Sequence, residues 1–276
     1  MLPNFLIIGS QKSGTTSLFH VLRQHPQVFM PERKEVNFFF LQQKYRRGSE
    51  YYQGYFAPAP PDALAVGEAS PGYICHPDTP ARIHQLLPNA RLILTVRNPI
   101  DRAYSQYWDN RRSLSEPLTF AQVVDVALEP TYHPGRLGYF SRGTYIQYIQ
   151  RYLEYIPKEN LLVLRFGELK HSPGSFYRRV FQFLGVDPDF HTPAMTASFN
   201  PAAVWENYLY HWFFTHPSRT RWLPAKLRRF TFFGPRTPWQ YPPMEDRLHQ
   251  KLLEFYRPWN AKLAEYFSQD LSSWDR

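Results

Sequence analysis

Cysteine is nearly missing: Cys75 is the only one in 276 residues, which excludes an intramolecular disulfide and a cysteine-rich zinc site. Long apolar runs are missing as well, and no stretch reaches the roughly 18 apolar residues a membrane-spanning helix needs. Acidic residues are scarce beside basic ones, 23 against 32, leaving a formal net charge of +9. Such a surplus points to acidic partners, whether nucleotide phosphates, anionic polysaccharide, nucleic acid or an anionic membrane surface, without choosing among them. Internal repeats and disordered composition are also lacking, while aromatic residues make up 17% of the chain and prolines number 26. One α/β domain with insertions, spanning 1–276, is the simplest organisation at this length. The first strand is expected near residue 5, which leaves no room for a signal peptide. The chain as given therefore reads as soluble and cytoplasmic, unless it was cut from a longer protein.

What is present begins with the stretch FLIIGSQKSGTTS, from Phe5 to Ser17. Phe5, Leu6, Ile7 and Ile8 form the short uninterrupted apolar run of a strand covered on both faces. Gly9 opens a loop, and in the helix that follows Leu18, Val21, Leu22 and His25 share one side until Pro26 stops it. Loop amides and a helix N-terminus together make an anion site. Against the triphosphatase pattern G-x-x-x-x-G-K-[ST], Gly9, Gly14 and Thr16 match, but Thr15 stands at the lysine position. The lysine is displaced into the loop, at Lys12, where its ammonium can meet a bridging oxygen in the 5' tail of a nucleotide.

A second strand-to-helix unit reads RLILTVRNPIDRAYSQYWDNRR, from Arg91 to Arg112. Leu92 to Val96 suits a central strand, and Arg97 then falls at its carboxyl end, where open α/β sheets bind ligands. Asn98 as N-cap and Pro99 at the first helical position start a helix, and Ser105 lies about two turns in. Arginine plus a hydroxyl makes a site for a phosphate monoester; the competing reading is an Arg97–Asp101 pair beside an ordinary serine. No aspartate ends this strand to hold magnesium.

The segments IIGSQKSGTTSL, KEVNFF, VRNPIDRAYSQY and RGTYIQYIQRYLEYIPKENLLVLRFGEL resemble the sulfotransferases that use 3'-phosphoadenosine 5'-phosphosulfate (PAPS), in the branch with heparan sulfate sulfotransferases and many bacterial enzymes. The resemblance covers roughly residues 3 to 190, with EFYRPWN in the final helix adding to it. It implies that Lys12, Ser13, Gly14, Thr15, Thr16 and Ser17 hold the 5'-phosphosulfate, and that Arg97 and Ser105 bind the 3'-phosphate. It also implies that Glu35, in PERKEVNFFF, takes the proton from the attacking hydroxyl or amine. A carboxylate beside Phe38, Phe39 and Phe40 is expected to be partly desolvated, with its pKa raised; the competing reading is a solvated loop of charges. His76, in a turn-rich stretch, is the alternative base, since other branches use a histidine.

The stretch AVGEASPGY, Ala65 to Tyr73, resembles a family segment near the acceptor in which a lysine often follows the glutamate; here Ala69 stands there, and Glu68 reads as a loop-shaping residue. The turn with Arg142 and Tyr145 lies near the nucleotide in the family, so both are carried as contacts. Beyond it Ile146, Ile149, Leu153 and Ile156 form an apolar stripe that belongs to the core. Leu161 to Phe166 reads as a strand, and a helix with Ser172 as N-cap, Pro173 at N1 and Gly185 at its end follows. From Thr192 to Met244 Glu206 is the only acid, and the segment carries +5 of the +9 charge together with many aromatics. It is expected to be an inserted lid or acceptor-binding region, a membrane-surface contact or a subunit contact. Within it GPRTP resembles a late basic loop that closes over PAPS, which makes Arg236 a cofactor contact.

The expected fold is therefore a three-layer, P-loop-like α/β fold with a central parallel sheet flanked by helices. The expected reaction is in-line sulfuryl transfer from PAPS to a carbohydrate or small metabolite. Lys12 acts at the leaving oxygen, adenosine 3',5'-bisphosphate (PAP) departs, and no metal and no nucleic acid is required. The rivals are a magnesium-dependent P-loop kinase and a basic nucleic-acid-binding protein, whose binding would fall steeply with salt.

Overall fold

In the computed structural model the described residues are 1–113, 115–128, 138–197, 199, 240–268 and 270–275, with 203–205 and 236–238 described through their backbone. In chain order the elements are β1 (Phe5–Gly9), α1 (Thr15–Leu22), β2 (Val28–Phe29), α2 (Gln42–Tyr45), α3 (Gly48–Gln53), β3 (Ala65–Ala69), α4 (Thr79–Leu86), β4 (Arg91–Val96) and α5 (Pro99–Arg112). There follow α6 (Phe120–Ala127), α7 (Tyr145–Leu153), β5 (Leu161–Arg165), α8 (Phe166–His171), α9 (Pro173–Leu184), β6 (Ala203–Trp205), β7 (Arg236–Pro238) and α10 (Asp246–Phe267).

Five strands form one parallel sheet in the order β2-β3-β1-β4-β5. β1 lies at its centre and every residue of it is buried, which is why it reads as an unbroken apolar run and not as an alternation. The pleat sends its side chains to opposite faces. Leu6 and Ile8 join a core with α4, α7 and the Val36–Phe39 segment, while Phe5 and Ile7 join another with α1 and α9. The three-layer α/β architecture follows from covering both faces. A third cluster packs α5, α6 and α10 together through Ile100, Tyr107, Val124, Leu252 and Tyr256.

Two local expectations are corrected. α1 ends at Leu22, so His25 lies beyond the helix; it is buried, with Nε2 3.0 Å from the Asp187 carbonyl oxygen. The residue before a proline is steered away from helical geometry, so the helix stops ahead of Pro26. Ser172 does stand at the N-cap of α9, but its side chain makes no capping bond; the Gly185 end, at φ 72°, is as expected. A small antiparallel pair, β6 with β7, brings Trp205 opposite Arg236. The role expected of 192–244 otherwise lies largely outside the described residues. No helix among the described residues is long and apolar enough to cross a membrane.

Candidate functional site

The parallel order of β3, β1 and β4 sets their carboxyl ends side by side, and the site is built there. After β1 the loop turns through Lys12 at φ 68° and Gly14 at φ 85°. Gly14 is required twice over. Its conformation is left-handed, and a Cβ there would meet Phe166 and Leu169 side chains at 2.8 Å. The loop is tied to β4 by Ser10 N–H donating to Thr95 O (2.8 Å) and by Thr95 Oγ1 donating to Gly9 O (3.1 Å). α1 then starts with no acidic residue in its first turn, so no side chain of that turn competes with an anion for its N-terminal amides.

On β4 and α5, Asn98 Oδ1 accepts from Ile100 N–H at 2.9 Å, as an N-cap should. Arg97 donates from Nη1 to the Lys12 carbonyl at 3.3 Å and lies 3.6 Å from Asp101, so the expected structural pair exists while Arg97 also lines the cavity. Ser105 is buried, with Oγ 3.2 Å from the Tyr241 hydroxyl. Asp109 and Arg112 follow it on the same helical face and line the same cavity. Asp109 binds both Lys12 (3.4 Å) and Arg112 (2.6 Å).

The segment carrying Glu35 is held from β3. Glu35 N–H donates to Ala69 O at 3.0 Å, Asn37 N–H to Ser70 Oγ at 2.8 Å, and Phe38 N–H to the Tyr73 hydroxyl at 2.8 Å. Behind this lies Glu68, buried, receiving Ser70 Oγ at 2.6 Å and the hydroxyls of Tyr73 and Tyr52. Burial pushes its carboxyl up to about 7, against the pull of those donors. Two of these donors, Ser70 and Tyr73, also accept from the Glu35 segment, so the buried carboxyl anchors the loop at one remove.

These elements form a cavity of about 240 Å³, lined by Lys12, the loop and head of α1 from Gly14 to Ser17, Lys34, Glu35, Arg97 and Ser105. Four cationic side chains, Lys12, Lys34, Arg97 and Arg112, face two carboxylates, Glu35 and Asp109. The balance and the helix N-terminus suit a ligand with two separated anionic groups. Lys34 is held below the usual lysine range, chiefly by burial, with Glu35 3.5 Å away partly restoring it.

Several expectations need correction. Glu35 is not desolvated by its aromatic neighbours: its side chain is 47% exposed, because Phe38 and Phe39 turn into the core instead. Ser13 is fully buried and spends both Oγ and N–H on Ser10, so it shapes the loop and does not line the cavity. Tyr145 is 1% exposed and donates to the Arg97 carbonyl at 2.9 Å, behind the cavity wall. Arg142 donates to Gln11 Oε1 and opens on a neighbouring cavity, as does His76. The backbone of Arg236 is in β7, but its side chain lies outside the described residues.

Reasoning from sequence missed Asp109, Arg112, Lys34 and Tyr241. Helical spacing from Ser105 pointed to the first two; no local signal marked the others. Among the described residues no group of three or more His, Cys, Asp or Glu is placed to hold a metal ion.

A family model described as "Sulfotransferase domain" matches residues 2–234. The mouse bifunctional heparan sulfate N-deacetylase/N-sulfotransferase 3 is 30% identical over 292 residues, covering 100% of this chain and 31% of that protein. The Dictyostelium discoideum membrane-associated sulfotransferase kil1 is 39% identical over 126 residues, 44% of this chain and 26% of that one. The chain thus spans about a third or less of the length of these relatives. The crystal structure of a sulfotransferase from Alicyclobacillus acidocaldarius matches with a TM-score of 0.73 and 28% identity, covering 100% of both chains.

Proposed function

Since this chain belongs to the sulfotransferase domain family, we propose that it moves a sulfuryl group from PAPS to a hydroxyl or amine of a carbohydrate or small metabolite. One observation carries the reading: Lys12, the head of α1, Arg97, Ser105 and Glu35, contributed by three separate parts of the chain, line one cavity.

The residues present fit the donor. Lys12 and the amides at the start of α1 would hold its 5' end, and Arg97 with Ser105 its 3'-phosphate. Bound there, PAPS supplies a sulfuryl group activated by its phosphate leaving group. Lys12 and the loop amides stabilise negative charge on that phosphate as it departs. Glu35, on a segment clamped to β3, accepts the proton of the acceptor group. Arg97 draws the loop toward β4 through the Lys12 carbonyl, so the two ends of the donor site are coupled.

A carbohydrate acceptor draws support from the heparan sulfate enzyme among the relatives. The test is incubation with labelled PAPS and a panel of saccharide, amine and small-metabolite acceptors, with Glu35→Gln alongside. Transfer to an acceptor, reduced in the variant, is expected. No transfer to any of them together with no PAPS binding by calorimetry overturns the reading.

A further inference from the structure

The Glu35 segment is held by two kinds of chemistry. Its carbonyls are held by cations: the Lys44 ammonium on α2 donates to Val36 O, and Arg82 on α4 donates to Phe39 O at 2.9 Å. Its amides are held by two buried hydroxyls. Ser70 Oγ accepts from Asn37 N–H, and the Tyr73 hydroxyl accepts from Phe38 N–H and, at 3.4 Å, from Phe39 N–H. The segment depends on these holds, because Glu35 at φ 64° and Asn37 at φ 55° both occupy the left-handed region, which residues with a Cβ rarely adopt.

The two hydroxyls are free to accept because Glu68 takes their protons. Each has a single proton to give. Ionised Glu68 is acceptor-only, so Ser70 and Tyr73 aim their protons at it and turn lone pairs toward the segment; Tyr52 on α3 donates to it as well, at 3.3 Å. A protonated Glu68 must instead donate. The hydroxyl that receives its proton then turns its own proton elsewhere, and the amide it held meets a rearranged acceptor.

Glu68 is the member of this cluster whose charge changes near neutrality. Burial holds the Tyr52 and Tyr73 hydroxyls well above the usual phenol range, so both remain donors. The cations whose field reaches Glu68 are Lys44 on α2 and Lys34 in the segment, and among the described residues neither is within ion-pair distance of it. On β1 the residue opposite is the apolar Leu6. Burial pushes the carboxyl up to about 7, which brings its titration into the neutral range.

We propose that Glu68 is a positioning residue for Glu35: its ionised carboxylate orients Ser70 and Tyr73 to hold the Asn37 and Phe38 amides, and its protonation loosens that hold. The inference rests on the sulfuryl-transfer reading, in which Glu35 takes the proton of the acceptor. It assigns a task in the reaction to a buried carboxyl that lines no part of the donor cavity.

Two measurements test it, the first without any substrate. Amide shifts of Asn37 and Phe38 are followed by NMR from about pH 5 to about pH 9 in wild type, Glu35→Gln and Glu68→Gln. They should titrate together in wild type and in Glu35→Gln, and stay flat in Glu68→Gln, whose side-chain amide keeps a donor where the proton would sit. In the second, kcat of Glu68→Gln should be about tenfold below wild type at about pH 8 and converge with it near about pH 5.5, with PAPS affinity equal in both; tenfold is the scale of one hydrogen bond to a charged group. The ratio of the two kcat values cancels any titration they share, that of Glu35 included. Ser70→Ala, which removes the hold on Asn37 and leaves Glu68 its two tyrosine donors, should lower kcat with PAPS affinity unchanged. Flat shifts in wild type, a titration that survives Glu68→Gln, or a kcat ratio that does not vary with pH overturns the proposal. Amides that follow Glu68 in a protein that neither binds PAPS nor transfers sulfate overturn the sulfuryl-transfer reading and the role in the reaction, while the hold of Glu68 on the segment stands.

Discussion

Lys12 and Asp109 stand 3.4 Å apart across the donor cavity, the ammonium at 13% side-chain exposure and the carboxylate at 45%. The cation assigned to the leaving phosphate is thus partly neutralised by the protein's own carboxylate before any donor arrives. Arg112 holds that carboxylate from the far side at 2.6 Å.

Asp109→Asn should therefore bind PAP more tightly, because Lys12 no longer shares its charge. The carboxylate is nearly half in solvent, so the gain is modest, on the order of two- to fivefold, and should shrink as salt is raised. Calorimetric titrations at two ionic strengths check it; an unchanged or weaker affinity would show that Asp109 serves to orient Lys12 instead.

Glu35→Gln should lower kcat by about 10²- to 10⁴-fold and leave PAP affinity near wild type, since the proposed proton acceptor is lost and the anion site is not. Lys12→Ala should lower kcat by about 10²- to 10³-fold and weaken PAP binding as well. Steady-state kinetics beside calorimetry separates the two; equal effects on PAP binding would remove the division of roles.

Tyr145 acts on the site through Arg97. Its buried hydroxyl donates to the Arg97 carbonyl at 2.9 Å, so Tyr145→Phe leaves that acceptor short of a donor and should cost about 1–3 kcal/mol of stability. PAP affinity should fall several-fold, against roughly 30-fold or more for Arg97→Ala, which removes the charge-assisted contact proposed for the 3'-phosphate. If Tyr145→Phe weakened PAP as much as Arg97→Ala without loss of stability, a direct contact would have to replace the positioning role.

Glu68 predicts a pH dependence of stability. Its carboxyl, ordinarily near 4.5, is pushed up to about 7 in the fold by burial. The native state therefore holds the proton more tightly than the unfolded chain. The associated stability is complete below pH about 4.5, declines as pH rises toward about 7, and does not change further above it. Glu68→Gln removes this titration. Denaturant midpoints measured from pH 4 to 8 should converge at one end and separate at the other, with wild type losing stability relative to the variant as pH rises. Parallel curves would place the Glu68 titration elsewhere.

Much of the frame was legible in the sequence because it is encoded locally. The apolar runs at Phe5–Ile8 and Leu92–Val96 mark strands buried on both faces, and Asn98-Pro99 starts α5 through a cap and a fixed φ. The displaced Lys12 and the argininyl end of β4 showed that this loop departs from the triphosphatase pattern. Glu35 stands out in the sequence but its exposure does not, since nothing nearby in sequence says that Phe38 and Phe39 turn inward while Glu35 turns out.

By itself the sequence determined the strand, loop and helix units and the residues at their carboxyl ends, because backbone preference and apolar periodicity act over a few residues. Only the tertiary structure decided that Lys12 meets Asp109, that the Tyr145 hydroxyl holds Arg97, and that Glu68 anchors the Glu35 segment through Ser70 and Tyr73. Those relations join residues brought together by the strand order β3-β1-β4 and by α5 and α7 packing beside it. Which side chain meets which there depends on register and burial summed over the whole sheet, and no short stretch of chain contains that sum.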